Sequence, residues 1–172
     1  MMGIYAVLAE AFRYPDSLRL ESLESQYREL PPGPVKELMM SFLQRVQMLS
    51  LHEWESLYTT TFDLNPTAPP YIGYMIWGDQ YQRGQFLAQL SGSMRTADID
   101  QDDELPDHLV PVLRYMDKTP GVWNELGKFL LPAVRAMQES LEKADPDNPY
   151  LNLLSAALLA FAAEKETSHV LE

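Results

Sequence analysis

Apolar residues recur at intervals of three and four positions along most of this chain, which is the periodicity of amphipathic α-helices. The pattern is carried by residues 4–12, 35–49, 54–62, 86–94, 109–116, 122–137 and 151–161. No segment alternates between apolar and polar residues in the manner of a strand. Proline-containing turns, as at residues 31–34 and 145–149, separate the stretches and end helices. We therefore predict an all-α bundle of about seven or eight helices, folded as one domain over residues 1–172.

Two connections are longer than the others, residues 64–70 and 96–105. Long loops of this kind permit the exchange of a helix between two copies. The chain is therefore expected to be a monomer or a helix-swapped dimer. Apolar periodicity is lost in the last residues of the sequence, 164–172, which are therefore predicted to be a frayed tail.

Charge and composition narrow the classes of partner. The chain carries 13 basic and 25 acidic residues, a formal net charge of −12, which argues against nucleic-acid binding and favours basic partners. Its longest uninterrupted apolar stretch, residues 156–163, is far below the roughly 20 residues of a membrane-spanning helix. The first residues lack the basic start of a signal peptide. We therefore expect no direct membrane insertion and a cytoplasmic location, with which the absence of cysteine agrees.

The segment from Glu104 to Leu109 brings an acidic and an imidazole side chain together beside a proline. Pro106 suits the first position of a helix, which predicts Asp107 and His108 in the first turn. The positive end of the helix dipole favours the carboxylate and disfavours a protonated imidazole, so His108 is expected to be neutral unless Asp107 or Glu104 compensates. Two interpretations remain open. The pair is a binding site, or Asp107 accepts helix-start N–H groups while His108 is a half-exposed packing residue.

Other chemical motifs lack their key residues. Residues 98–104 hold five carboxylates and match the first positions of a calcium loop, but Asp103 stands where glycine is needed and Leu109 where glutamate is needed. They are therefore predicted to form a solvated acidic loop whose negative potential attracts basic peptides. The glycine spacing at residues 73–78 lacks the lysine of a phosphate loop. We expect no metal and no cofactor.

Aromatic residues follow the second proline-rich loop at helical spacing. The run lies close to one face of a helix predicted to begin after Pro70 and consists of Tyr71, Tyr74, Trp77 and Tyr81. Such a stripe is either core or a recognition surface. Gly84 lies in the next helical stretch, where glycine lowers helix stability by about 1 kcal/mol relative to alanine. Close approach of another helix or of a bound chain would explain a glycine there. Arg83 is available to anchor Asp107 or a carboxylate of a partner.

Four short motifs occur in a fixed order: LAEAFRYP (8–15), YTTTFDL (58–64), WGDQYQRGQFL (77–87) and ELPDHL (104–109). In this order they resemble the redox-enzyme maturation chaperones of the nitrate reductase delta-subunit type. The resemblance implies an all-helical cytoplasmic protein without catalytic activity. It also implies a partner, the apo catalytic subunit of a molybdenum-dependent oxidoreductase. The N-terminal segment of that subunit would be held until the molybdenum cofactor is inserted and the enzyme docks at the membrane or is exported.

The same resemblance implies a peptide-binding region shared by two helical segments. Its residues in this chain are Tyr58, Phe62, Asp107 and His108. We add three aromatic or basic residues from the intervening segment, Tyr74, Trp77 and Arg83. Apolar anchors with an acidic rim would suit an amphipathic peptide. Two alternatives stay open: a non-catalytic helical adaptor that binds mature oxidoreductase subunits, and a small-molecule enzyme that uses Asp107 and His108 as acid and base.

Overall fold

Helices follow one another along the whole described chain, residues 2–170 of a computed structural model. Among these residues there are nine α-helices, eight of them seven residues or longer, and no strand. The helices are α1 (Ile4–Ala11), α2 (Arg19–Glu29), α3 (Pro34–Val46), α4 (Leu51–Tyr58), α5 (Ile72–Trp77), α6 (Tyr81–Thr96), α7 (Leu109–Lys118), α8 (Val122–Ala144) and α9 (Tyr150–Val170). The predicted all-α bundle is confirmed.

The hydrophobic core is built around α9, which packs against α1, α3 and α8. Its buried side chains are Tyr150, Leu153, Leu154, Ala156, Ala157, Ala160 and Phe161. A helix that is apolar on most sides must be covered on most sides, and short alanine side chains let neighbouring helices approach closely. Half of the longest apolar stretch of the sequence, residues 156–163, is therefore buried in the core, while Leu159, Ala162 and Ala163 on its outer side are exposed. Within residues 2–170, no helix is both long enough and apolar enough to cross a bilayer.

A π-helical turn, Thr59–Asp63, continues α4 without interruption. The start of α4 is fixed by a capping box, in which Ser50 and Glu53 each bond the other's backbone N–H through their side chains. At the other end, the Leu64 N–H donates to the Thr59 carbonyl at 2.9 Å, which is the five-residue spacing of a π-turn. The wider turn shifts the residues after Tyr58 around the helix axis relative to a regular α-helix.

The predicted start of the helix near Pro106 is wrong by three residues. The helix α7 begins at Leu109, and His108 is its N-cap residue, so Asp107 lies in a turn before the helix. The physical reason is a tertiary backbone pairing, in which the Asp107 carbonyl accepts the Ile72 N–H and the Leu109 N–H donates to the carbonyl of Pro70. The pairing holds His108 in an extended conformation, with a ψ of 142°, so the helix begins only after it.

The sequence pattern predicted that the aromatic run lies on one helix, and this prediction is wrong. The helix α5 ends at Trp77, and Gly78 follows with a φ of 59°, a left-handed conformation that favours glycine. Tyr81 therefore belongs to the next helix, where its side chain is exposed. The four aromatic residues are divided among the N-cap of α5, α5 itself and the start of α6.

The predicted frayed tail is helical as far as the structure describes it. The helix α9 continues to Val170, and residues 171–172 lie outside the described residues. The N-terminal helix supports this stretch, because the Tyr5 hydroxyl donates to the Ala160 carbonyl at 3.1 Å and to Glu164 at 3.4 Å. Loss of apolar periodicity in the sequence thus reflects solvent exposure of the last turns and not the end of the helix.

Candidate functional site

A short backbone pairing fastens the loop before α7 to the segment that enters α5. Residues 70–72 and 107–109 run antiparallel, with Tyr71 opposite His108. Two N–H···O=C hydrogen bonds of 2.8 Å cross the pairing. Because neighbouring side chains on an extended backbone point to opposite sides, the pairing separates the two residues that the sequence analysis singled out as one pair.

On one side, the Asp107 carboxylate is fully buried and closes an ion pair with α6. The Arg83 Nε donates to Asp107 Oδ2 at 3.0 Å, and one terminal nitrogen of the same guanidinium donates to Oδ1 at 3.3 Å. The Gly73 backbone N–H donates to Oδ2 at 3.1 Å. The hypothesis that Arg83 anchors Asp107 is confirmed. The alternative that Asp107 serves N–H groups of α7 is wrong, since its partners belong to α5 and α6. We call these three residues the Asp107 clip.

The clip depends on the absence of a side chain at residue 73. A Cβ atom built there would lie 2.9 Å from Asp107 Oδ2 and 3.1 Å from both the Arg83 and the Phe86 side chains. The sequence analysis singled out Gly84 for close approach, but no atom lies within 4 Å of a Cβ built at that residue. Close packing within the chain therefore explains Gly73 and does not explain Gly84.

On the other side of the pairing, His108 is buried, with only 3% of its surface exposed. The expectation of a half-exposed side chain is therefore wrong. The His108 Nδ1 accepts the Val110 N–H at 3.1 Å as the cap of α7. Burial lowers the pKa of His108 to about 4, against a smaller raising effect of Asp102. The ring is thus neutral, as predicted, and carries its proton on Nε2, but burial is the main cause and not the helix dipole.

His108 lines a small cavity of about 160 Å³ that we call the acid–aromatic pocket. Four segments far apart in sequence surround it: the end of α1, the end of α4 with its π-turn, the residue that caps α5, and the loop that leads into α7. Its walls are Arg13, Tyr14, Tyr58, Phe62, Asp63, Tyr71, Asp102, Glu104, His108 and Val110. Three of the predicted site residues, Tyr58, Phe62 and His108, therefore meet in one cavity.

Tyr58 and Phe62 are core residues that also reach this pocket. Both side chains are buried, and their ring centroids lie 5.2 Å apart. Phe62 also packs edge-on against Tyr150 of the central helix at 4.8 Å, while Tyr58 packs against Tyr14 at 5.3 Å. The two rings are thus held rigidly from behind, so the pocket wall is preformed.

Carboxylates outnumber basic groups in the pocket. The Arg13 guanidinium pairs with Asp102, its Nε lying 2.9 Å from Oδ2. Glu104 accepts a hydrogen bond of 3.0 Å from the Tyr71 hydroxyl. Burial raises the pKa of Glu104, the hydrogen bond from Tyr71 lowers it, and the nearby charges of Asp63 and Asp102 raise it again. The pocket therefore carries an excess of negative charge.

A second concave region, the α6–α8 groove, lies beyond the far end of α5. It has a volume of about 550 Å³ and an aromatic floor in which Trp77, Phe86 and Phe129 lie 5.3 Å from one another by ring centroids. Exposed glutamines of α6, such as Gln85 and Gln89, form one rim. Apolar floors with a few polar groups are typical of peptide-binding grooves.

The predicted site residues thus divide into three groups. Tyr58, Phe62 and His108 line the acid–aromatic pocket, and Trp77 lines the α6–α8 groove. Arg83 and Asp107 form the clip between them. Tyr74 is partly exposed. The Arg83 guanidinium lies over the Tyr74 ring, 5.5 Å from the ring centroid.

Sequence reasoning missed several walls of the two cavities, namely Tyr14, Asp63 and Asp102 in the pocket and Phe86 and Phe129 in the groove. Asp63 directly follows the predicted anchor Phe62, which was a usable signal. Phe129 offered none, because it looks like any other apolar position of a long helix. Among residues 2–170, no group of three or more acidic or histidine side chains is arranged to hold a metal ion.

A known family matches most of the chain. The family model described as nitrate reductase delta subunit matches residues 28–162, well over half of the chain. The chain belongs to the nitrate reductase delta subunit family. Proteins of the nitrate reductase delta subunit family are assembly chaperones that bind catalytic subunits of molybdoenzymes during maturation. The matched region includes the clip, the groove and most of the pocket. No curated protein matches the chain.

Proposed function

We propose that this protein is a system-specific chaperone that binds the N-terminal segment of an apo catalytic subunit of a nitrate reductase-like molybdoenzyme. It acts in the cytoplasm and holds the segment until the molybdenum cofactor is inserted. Premature docking at the membrane or export is thereby prevented. The protein contributes a binding surface and performs no reaction of its own.

The observation that carries this proposal is the position of two complementary cavities at the two ends of α5. Tyr71, the N-cap of α5, lines the acid–aromatic pocket, and Trp77, its last residue, lines the α6–α8 groove. Six residues of helix separate them by roughly 9 Å at 1.5 Å per residue. A helical peptide of three or four turns is long enough to reach both.

The chemistry of the two cavities suits an amphipathic basic segment. The groove has an aromatic floor for apolar anchors, and the pocket has surplus carboxylates for a positive charge. The net charge of −12 also attracts basic segments over longer distances. Asp107 is fully buried and saturated with hydrogen bonds, so in this proposal it holds the two cavities in register and does not touch the client.

The experiment that tests the proposal is affinity purification of the tagged protein from its native host under respiratory conditions. Mass spectrometry identifies what co-elutes, and elemental analysis measures its molybdenum. We expect a catalytic subunit free of molybdenum. Recovery of only mature, molybdenum-loaded complex would contradict the chaperone function and support the alternative of a helical adaptor.

Charge-matched variants localise the binding surface in the same experiment. Gln85→Lys with Gln89→Lys adds two positive charges to the rim of the α6–α8 groove, where both glutamines are exposed. Gln44→Lys with Gln47→Lys adds the same charge to exposed positions around the end of α3. The first variant should lose most of the captured subunit, since bulk and positive charge oppose a basic segment. The second should retain it.

A further inference from the structure

Two hydrogen-bonding groups on the walls of the acid–aromatic pocket have no partner among residues 2–170. The Tyr58 side chain is 7% exposed, and its hydroxyl makes no hydrogen bond to any described residue. The His108 Nε2–H is the free donor of a ring that is 3% exposed, and the nearest carboxylate, Glu104, is 4.0 Å away. Neither atom is closed off inside the protein, since the buried side-chain atoms without a partner in residues 2–170 are Arg19 Nε and Gln26 Oε1. Both groups face the open space of the pocket, where a ligand can supply hydrogen-bonding atoms.

The charge balance of the pocket indicates the sign of that ligand. Asp102 is paired with Arg13, but no lysine or arginine lies within 4 Å of Asp63 or Glu104 among the described residues, and the His108 ring 4.0 Å from Glu104 is neutral. Asp63 is exposed and Glu104 is half-buried, and the mutual repulsion of these carboxylates adds to the effect of partial burial in raising the pKa of Glu104. A positive group between them would remove that repulsion and form charge-assisted hydrogen bonds.

The aromatic walls and the volume indicate the shape of the ligand. Tyr14, Tyr58 and Tyr71 surround the acidic groups, and aromatic ring faces attract cations. Tyr71 already shows this preference within the chain, since the Arg83 guanidinium lies 5.6 Å from its ring centroid. A cavity of about 160 Å³ is well below the 300 Å³ or more that is typical of small-molecule sites. It has room for the end of one side chain.

We propose that the acid–aromatic pocket binds the guanidinium of one arginine side chain in the client's terminal segment. This inference rests on the proposed function for the identity of the segment. Asp63 and Glu104 pair with the charge, and the Tyr58 hydroxyl accepts one guanidinium N–H. Arginine is favoured over lysine because its planar fork both pairs with carboxylates and stacks on aromatic rings.

The position of the pocket also predicts the spacing of the recognised sequence. The pocket and the α6–α8 groove are roughly 9 Å apart along α5, which corresponds to between one and two turns of a helical peptide. The recognised arginine should therefore lie about five to seven residues from the apolar anchors that enter the groove.

The test uses N-acetyl-arginine-N-methylamide as the probe and the citrulline analogue, which has the same shape without the charge, as its control. Binding of each to the full chain is followed by NMR titration. We expect the arginine probe to shift the signals of Tyr58, Tyr71 and His108, and the citrulline probe to bind about tenfold more weakly. Equal binding of the two probes, or no shift at these residues, overturns the proposal.

Paired variants separate the pocket from the overall charge of the protein. Asp63→Asn with Glu104→Gln should weaken the arginine probe about tenfold. Asp103→Asn with Glu139→Gln removes the same charge from exposed residues that do not line the pocket, and should preserve binding. If both pairs weaken the probe equally, only long-range charge is involved and the proposal fails.

Client capture distinguishes failure of this proposal from failure of the proposed function. If the wild-type chain captures a molybdenum-free catalytic subunit and the Asp63/Glu104 variant captures it equally well, the arginine site is wrong and the chaperone function stands. If the arginine probe binds in the pocket but no oxidoreductase is captured, a cation site is supported. In that case, the chaperone function and the assignment of the arginine to a client segment both fail.

Discussion

Asp107 of the clip and His108 of the acid–aromatic pocket are neighbours in the loop before α7, yet their hydrogen bonding is opposite. Asp107 accepts three hydrogen bonds and is paired with Arg83. In the pocket, the Tyr58 hydroxyl and the His108 Nε2–H have no partner among the described residues, and Asp63 has no basic neighbour there. A buried group with its partners in place stabilises the fold, whereas a group that faces a cavity without a partner is available to a ligand. Proximity in sequence conceals this difference.

The largest effect is expected at the saturated carboxylate. Asp107→Ala leaves the Arg83 guanidinium, which is only 15% exposed, without its partner. Removal of one member of a buried ion pair costs about 3 to 5 kcal/mol of unfolding free energy. Thermal and urea unfolding measure this loss. The control is Asp79→Ala, a 92% exposed carboxylate 4.0 Å from the same arginine, which should leave Tm unchanged. Equal losses in the two variants would show that the clip is not structural.

The next effect tests the close approach of α5 to the clip. Gly73→Ala inserts a methyl group 2.9 Å from Asp107 Oδ2, and overpacking of this kind lowers the unfolding free energy by about 1 to 3 kcal/mol. Gly84→Ala is the matched variant, because its Cβ meets no atom within 4 Å and alanine is favoured in a helix by about 1 kcal/mol. The two changes should thus have opposite signs. Stabilisation by both would contradict the tight geometry.

The third prediction concerns pH and the neutral His108 ring. Unfolded, its imidazole takes up a proton below about pH 6.5. In the folded chain burial lowers the pKa of His108 to about 4, so proton uptake favours the unfolded state. Stability is therefore complete above pH 6.5 and decreases as the pH falls, by about 2 kcal/mol between pH 7 and pH 5.

The substitution His108→Asn isolates the contribution of the imidazole to the pH dependence of stability. The asparagine side-chain oxygen can replace Nδ1 as the cap of α7, and no titrating ring remains. Denaturant unfolding at several pH values should give a smaller slope for His108→Asn than for the wild type. The exposed His52 supplies the control, since His52→Asn should keep the wild-type slope. Identical slopes for all three proteins would mean that His108 is not buried in the neutral form.

The smallest effect on stability is expected in the pocket. Glu104→Gln keeps an acceptor for the Tyr71 hydroxyl and removes a charge that is costly to bury, so the unfolding free energy should change by less than about 0.5 kcal/mol. Its effect should be on binding, where a charge-assisted pair is lost. A large drop in Tm would show that Glu104 is a structural residue like Asp107, and would contradict its assignment to ligand binding.

The fold was predictable because helical periodicity is a local property repeated along the chain. The start of α7 was not, since its position depends on a backbone pairing with residues 70–72, more than thirty residues away in sequence. The end of α5 after Trp77 could have been predicted from the sequence, because glycine, here Gly78, is the usual residue with a positive φ at the end of a helix. The helical spacing of the aromatic residues before and after Gly78 led instead to the prediction of one continuous helix.

The site was predictable only in part for a similar reason. The Arg83–Asp107 pair could be inferred as the meeting of opposite charges on neighbouring segments. The acid–aromatic pocket joins Tyr14, Asp63 and Glu104 from three distant segments, and no periodicity links them. Whether a side chain is saturated with hydrogen bonds is a three-dimensional property. Sequence therefore grouped Asp107 with His108, although they lie on opposite sides of the pairing.

The most direct test of the distinction between clip and pocket measures folding and client capture on the same protein preparations. The chain with Asp63→Asn and Glu104→Gln is compared with the wild type and with the charge-matched Asp103→Asn, Glu139→Gln variant. We predict unchanged Tm for all three and loss of most of the captured molybdenum-free catalytic subunit in the pocket variant alone. Full capture by the pocket variant at unchanged Tm would contradict the account.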